Sequence, residues 1–403
     1  MTANGHDVYL DHAAATPTDE VVVEVVSKAM LDLKGNAGSF HSEGKRAKDH
    51  LDKARDEIAE FLGARPDEIL FTGSGTESDN LAILGYARAH AKHGKHIVTT
   101  AIEHHAVLET MQHLEKNEGF ELTIVPVEKN GIVDAKKVLD AIREDTTIVS
   151  VMLVNNEIGT VQPVAEIGNA IEKMKKDGKA QHVALHTDAM QATAYLDLDV
   201  RKLHVDLLSI NGSKVYGPKG VGALFVKRGT KLQPLTFGGA QERGIRPGTE
   251  NVAAIVGFAK ALELVQDRRE ADTSHLLPLR EKLIEGILNT IPKTRLNGDR
   301  EQRVPNNVNI SIMDLEGEAL LLYLDAKGIY ASTGSACTSA SLDPSHVIIA
   351  LGMPFEVAHG SMRFTLGRNT TEADIDYVIK ELPPLVEKLR AISPVRVDPK
   401  YYE

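Results

Sequence analysis

Two stretches decide the fold: His182-Val183-Ala184-Leu185-His186-Thr187, which runs into Asp188-Ala189-Met190-Gln191, and Val205-Asp206-Leu207-Leu208-Ser209-Ile210, which runs into Asn211-Gly212-Ser213-Lys214. Each is a short, mostly apolar run closed by polar turn residues, too short for a core helix and without the alternation of a half-exposed strand. Such runs are buried on both faces, as in a parallel sheet under helices. Working outward, residues 68–72, 96–100, 122–127, 147–154 and 221–226 read the same way. Helical patterns at 21–33, 45–62, 79–93, 105–116, 135–143 and 164–177 lie around and between them. The alternation predicts an α/β fold with a mainly parallel, doubly covered sheet.

From about residue 251 the pattern changes. Helices are expected at 251–269 and 279–289, strands at 308–313 and 361–366, and a long helix from 372 that Pro383-Pro384 kinks or breaks. The expected organisation is a large domain over 16–260. A smaller α+β domain is made of 1–15 and 261–403.

The 403 residues hold one cysteine, so no disulfide forms within the chain, which fits a reducing compartment. A net charge of −11 disfavours nucleic acid as a direct partner. Neither a signal peptide nor an apolar run of about 18 residues is visible, so no membrane is expected and a soluble cytoplasmic protein follows.

Ligands of open α/β sheets bind beyond the carboxyl ends of the strands. Gly73-Ser74-Gly75-Thr76-Glu77-Ser78 follows one such end, and glycine there lets backbone N–H groups approach a phosphate at a helix start. A plain strand-to-helix turn reads the same. Asp188 needs a partner, for which a cationic ring nitrogen, a lysine or a helix cap would each serve. Lys214 is placed to act as an amine nucleophile or to lie in solvent. His104 and His105 point in different directions, and no metal-ligand spacing exists elsewhere, so no metal site is expected. Cys337 stands in Ala331-Ser332-Thr333-Gly334-Ser335-Ala336-Cys337-Thr338-Ser339-Ala340-Ser341. This small, polar stretch reads as a flexible, solvent-facing loop suited to a thiol that moves and reacts; the alternative is a small buried hydrophobe. Lysine, strand-end aspartate, Gly/Thr turn and nearby histidine are together the parts of a pyridoxal phosphate site. The lysine holds the cofactor and the aspartate keeps its pyridine nitrogen protonated, so that the ring acts as an electron sink.

The chain resembles the cysteine desulfurases of the class V, fold-type I pyridoxal phosphate enzymes, of the iron–sulfur cluster assembly type. The resemblance is carried by Tyr9-Leu10-Asp11-His12-Ala13-Ala14-Ala15-Thr16-Pro17, Thr76-Glu77-Ser78-Asp79-Asn80-Leu81-Ala82, Glu103-His104 and Asn155-Asn156-Glu157-Ile158-Gly159. It continues through Lys214-Val215-Tyr216-Gly217-Pro218-Lys219-Gly220, Glu242-Arg243-Gly244, Gly248-Thr249 and Gly334-Ser335-Ala336-Cys337-Thr338-Ser339. It implies that Lys214 carries the cofactor, Asp188 pairs with its ring nitrogen, Gln191 bonds its phenolic oxygen and His104 stacks on the ring. Gly75 and Thr76 would bind phosphate, with Thr249 reaching in from the second subunit of a homodimer. Asn156 would contact cofactor or substrate, Asn36 and Arg363 would hold the substrate carboxylate, and Cys337 would take the sulfur. Asn211 and Ser213 replace the serine and histidine that usually precede the lysine and touch the phosphate, which could weaken cofactor binding. The tail from Pro394 to Glu403 does not match the family's partner-docking tail. The activity implied is conversion of L-cysteine to L-alanine, with sulfur passed through Cys337 to an iron–sulfur scaffold or a thiolation enzyme. Selenocysteine lyase or another class V enzyme is the alternative, and the acceptor thiol favours desulfuration.

Overall fold

The computed structural model describes residues 7–334 and 344–402. Cys337 lies outside the described residues. β1 (Val8–Tyr9) is followed by seven strands that pair into one sheet: β2 (Ile69–Thr72), β3 (His96–Thr100), β4 (Glu121–Val125), β5 (Thr146–Ser150), β6 (Ala184–Asp188), β7 (Leu207–Asn211) and β8 (Gly222–Val226). Every residue of these strands is buried except on β4, which forms one edge. The order is β2-β8-β7-β6-β5-β3-β4, with β4, β3, β5, β6 and β7 parallel. β8 is antiparallel to both β7 and β2. β2 therefore runs in the same direction as β7, and the carboxyl ends of β2, β3, β5, β6 and β7 share one edge.

The expected strands are present, with ends displaced by one to a few residues. Asp188 and Asn211 are the last residues of β6 and β7 rather than the first residues beyond them. The larger difference is a single helix, Val252–Thr290, where two were expected. Its polar middle hid the continuity. That middle is held by a distant loop: Arg368 reaches Asp272 at 3.4 Å, and the Thr370 carbonyl accepts from His275 Nε2 at 2.8 Å. The first half of the helix packs Phe258 and Leu262 into the core of the large sheet, and the second packs Leu283 and Ile287 into a separate core. The expected boundary at 260/261 falls inside this helix. Helix Glu372–Ile392 likewise continues through Pro383 and Pro384, with Leu382, Leu385, Val386 and Leu389 buried around them.

β9 (Thr294–Leu296), β10 (Asn307–Ile312) and β12 (Ser361–Thr365) form a small antiparallel sheet over the second core, while β11 (Ile329–Tyr330) pairs in parallel with β1. Val8 and Leu10 pack into that second core, so the N-terminal segment joins elements more than three hundred residues away.

Phe258 is wholly buried beneath the turn after β7, where a Cβ on Gly212 would lie 3.5 Å from its ring. Phe258→Ala should cost about 3–5 kcal/mol, the usual range for removing a buried phenyl ring, as measured by urea unfolding.

Candidate active site

The turn after β7 is a single 3₁₀ turn, Gly212–Lys214. A Cβ on Gly212 would meet the Pro218 carbonyl oxygen at 2.4 Å, so only glycine fits. Thr16 fastens the turn from the other side. Its amide donates to the Ser213 carbonyl at 2.9 Å, and its hydroxyl accepts from the Tyr216 amide at 2.7 Å. Tyr216 itself is held at φ 59°, in the left-handed region. Lys214 Nζ donates to the Ala14 carbonyl at 2.5 Å, and Gln191 Nε2 to the Ala13 carbonyl at 2.9 Å. Residues 13–16 thus lie across both side chains.

Asp188 accepts from the Met190 amide at 2.9 Å. Burial, and then the nearby Asp79 carboxyl, push it up to about 7, although His186 and Lys214 pull the other way. Glu103 is also buried, and burial pushes it up to about 8 while Thr100 Oγ1 donates to it at 2.6 Å and the Met152 amide at 3.0 Å. His104 caps helix His105–Glu118: its Nδ1 accepts from the Ala106 amide at 3.0 Å, which leaves the ring's own proton on Nε2. Burial, and next the Lys214 charge, lower it to about 4, so the ring is neutral at neutral pH. A cavity of about 500 Å³ opens beside it and is lined by Thr76, Asn80, His104 and His105.

Helix Gly75–His90 starts at the same edge, with Ser74 as its cap. A Cβ on Gly75 would stand 2.1 Å from Met190 Sδ and 2.8 Å from Asn211 Nδ2. Glycine therefore brings the helix's free N–H groups against the end of β7, the geometry that favours an anion. Asn211 is buried there and Ser213 Oγ is 3.4 Å from its Oδ1. Thr76 is exposed.

Arg363 on β12 is almost wholly buried. It donates through Nη2 to Asp11 at 2.9 Å and through Nη1 to the Asn156 carbonyl at 3.0 Å. Its Nε has no hydrogen-bond partner among the described residues. The fork expected to face a substrate carboxylate is thus largely engaged within the fold. Asn36 is exposed in a turn, where its side chain accepts from the Gly38 amide at 2.8 Å. Thr249 is exposed too, three residues after Arg246, whose Nε donates to Glu77 at 2.7 Å beside the start of helix Gly75–His90. The chain thus gathers Lys214, Asp188, Gln191, Asn211, Ser213, Gly75 and His104 at one edge, and leaves Asn36 and Thr249 on exposed loops.

Residues 8–378 match the family described as Aminotransferase class-V. The chain belongs to that family. It is 50% identical over 395 residues to a protein of Methanosarcina thermophila named "Cysteine desulfurase IscS", covering 98% of this chain and 95% of that one. A solved structure described as a NifS-like protein superposes with a TM-score of 0.88 at 36% identity, over 95% of this chain and all of that one. Another, described as SspA in complex with cysteine, has a TM-score of 0.77 at 34% identity, over 90% of this chain and all of that one. The resemblance carried by the motifs is met, and so is the fold.

Several class-V motif residues had been given no role. Glu157 is buried, and its Oε2 accepts from Ser345 Oγ at 2.5 Å. The same oxygen would be 2.9 Å from a Cβ on Gly334, which sits at φ 130°. Glu242 takes two hydrogen bonds from Arg55 and one from the Phe71 amide, tying β2 in place just before the Gly73 turn. Asp79 is fully buried with Ala82, Ile83 and Tyr86. That spacing of one helical face was the available signal, since it points a carboxylate inward.

Because His104 is held neutral, its contribution to stability is fully present above the ordinary imidazole value of 6.5 and is lost as pH falls toward about 4. Histidine NMR should show the His104 ring titrating near pH 4, and His104→Gln should lose less stability than the parent between pH 7 and pH 5.

Proposed function

We propose that this chain is a pyridoxal 5'-phosphate-dependent cysteine desulfurase that converts L-cysteine to L-alanine and carries the sulfur on Cys337 as a persulfide. The observation that carries the reading is the meeting of Lys214, Asp188 and His104 at one sheet edge, in a chain with a single cysteine. The residues fit the cofactor. The close approach at Gly75 would leave helix N–H groups beside Asn211 and Ser213 for a phosphate, Asp188 would pair with a ring nitrogen, and Gln191 would bond a phenolic oxygen. Lys214 would supply the amine for covalent attachment, and His104 would stack on the ring. Asn156 would contact cofactor or substrate, and Asn36 and Arg363 would hold the substrate carboxylate, for which Arg363 would exchange its bonds to Asp11 and the Asn156 carbonyl.

Pyridoxal phosphate, when bound, supplies an electron-withdrawing ring that acidifies the substrate's α-carbon. Lys214 Nζ then takes the α-proton. His104 presents Nε2–H, because its Nδ1 is occupied by the Ala106 amide, and so acts as a proton donor. The Cys337 thiolate attacks the substrate sulfur. An S–S bond forms, the substrate's Cβ–S bond breaks, and its electron pair stays with the carbon, which takes a proton and leaves as alanine. The persulfide sulfur goes on to an acceptor protein such as an iron–sulfur scaffold.

The working form in this reading is a cytoplasmic homodimer in which Thr249 of each subunit completes the partner's phosphate site, with Thr76. Support comes from Met30, Leu31, Phe40 and Phe237, large apolar side chains left more than two-thirds exposed. Among the described residues no helix is long and apolar enough to cross a membrane.

Lys214→Ala should abolish the borohydride-trapped adduct and turnover; an adduct at the parent's level would move the anchor to another lysine. Cys337→Ser should still bind pyridoxal phosphate and shift its spectrum on adding cysteine, yet form no persulfide by mass spectrometry. A persulfide on that variant would overturn the sulfur-transfer step. Sedimentation should give a dimer, and an active monomer would refute the composite site.

A further inference from the structure

Beneath the candidate ring site lies a polar file that the proposed chemistry does not use. Alternation along β6 puts Ala184, His186 and Asp188 on one face. Asp79, on helix Gly75–His90, meets this file through His186. That imidazole is wholly buried: Nδ1 is 2.8 Å from Ser150 Oγ, while Nε2 is 3.1 Å from Ser209 Oγ and 3.5 Å from Asp79 Oδ1. Asp79 is wholly buried as well; neither of its carboxyl oxygens has a well-formed hydrogen bond among the described residues, and the Ser209 hydroxyl opposes the effect of burial on it without overcoming it. In register, Ser150 stands beside His186 and Ser209 beside Asp188, so the file is continuous across β5, β6 and β7.

Two carboxyl groups in one dry layer cannot both ionise cheaply. An ionised Asp79 would have only the Ser209 hydroxyl to steady it against burial, whereas Asp188 has the Met190 amide and the Lys214 charge. We propose that Asp79, held against His186, is a positioning residue that keeps the second proton of an Asp79–Asp188 pair, so that the pair's single negative charge resides on Asp188 facing the ring nitrogen. The proposal rests on the pyridoxal phosphate reading. Among the described residues, the other titratable groups acting on the pair are His186 on the same strand as Asp188, Glu103 from the turn after β3, and Lys214 from the end of β7. Burial leaves His186 neutral, lowered to about 4, and pushes Asp79 up to about 8, in the same sense as the geometry.

The test uses the carboxylic-acid band in the infrared spectrum of the apoprotein, with Glu103→Gln to identify the third buried acid. The wild type should lose the protons of the pair in two steps. Asp79→Asn should keep the lower step and lack the upper one; if it lacks the lower step and keeps the upper, the proposal is overturned. Adding pyridoxal phosphate at pH 7 should abolish the band that Asp188→Asn removes and leave the band that Asp79→Asn removes. Loss of the Asp79 band on that addition also overturns it. Because the folded chain holds a proton on Asp79 that the unfolded chain has released, wild-type apoprotein stability should fall as pH rises from about 7 to 9, above the range in which the lowered histidines act. Asp79→Asn should show a slope flatter by about one proton. An unchanged slope counts against the proposal. Asp79→Ser serves the same measurements if the asparagine variant does not accumulate. Failure of the wild type to bind pyridoxal phosphate would sink the functional reading instead, while the apoprotein titrations still decide the role of Asp79.

Discussion

Charge balance in a dry layer governs this molecule. At the carboxyl edge of the large sheet lie three buried acids, one buried and one half-buried imidazole and one lysine, with an arginine close by on the small sheet. Water cannot neutralise them, so they neutralise one another. The acids rise toward neutral pH, the imidazoles fall well below it, and Arg363 is held by Asp11 and a backbone carbonyl. The hydrogen bonds that look like details of turns, such as Met152 amide to Glu103 or Met190 amide to Asp188, are terms in this balance. They are available because the strands end where they do.

The single reversed strand makes that edge possible. β8 returns the chain across the sheet, so β2 lies two strands from β7 and points the same way. The Gly73–Gly75 turn and the Lys214 turn then open on the same side, joined through Met190 and Asn211. Glu242 locks the arrangement from outside, at a cost. Glu242, Arg243 and Gly244 all have positive φ, an unfavourable run for the two side-chain-bearing residues that the paired Arg55–Glu242 charges offset.

Much of the fold was legible because burial on both faces leaves a strong mark. Val205–Ile210 is aliphatic but for Asp206 and Ser209, and Lys214 and Asp188 stood out by following such runs. What was hidden depended on partners far along the chain. Helix Val252–Thr290 looked broken because Asp272 and His275 are polar, and only Arg368 and Thr370 explain them. Pro383 and Pro384 looked like a break because packing on both sides of them cannot be read locally. Asp79 lies within a motif, and its inward direction follows only from the helical face it shares with Ala82, Ile83 and Tyr86. Asn36 and Thr249 came from resemblance alone, and this chain holds them on exposed turns. Cys337 was legible as a lone thiol among small residues, and its segment lies outside the described residues.

The clasp of residues 8–16 has a consequence for how the molecule is made. Ala13 and Ala14 offer their carbonyls to Gln191 and Lys214, yet the segment that presents them is pinned by Ile329, Tyr330 and Thr365. Residues 8–12 therefore wait for residues 328–365, made more than three hundred positions later, before they find their place. On the ribosome the large sheet can form early, with its lysine turn open and unclasped. Competence arrives as a late event of biosynthesis, when β12 emerges and the N-terminal segment docks. A chain cut short before that strand would carry almost all the reactive side chains and still lack the strap that holds two of them.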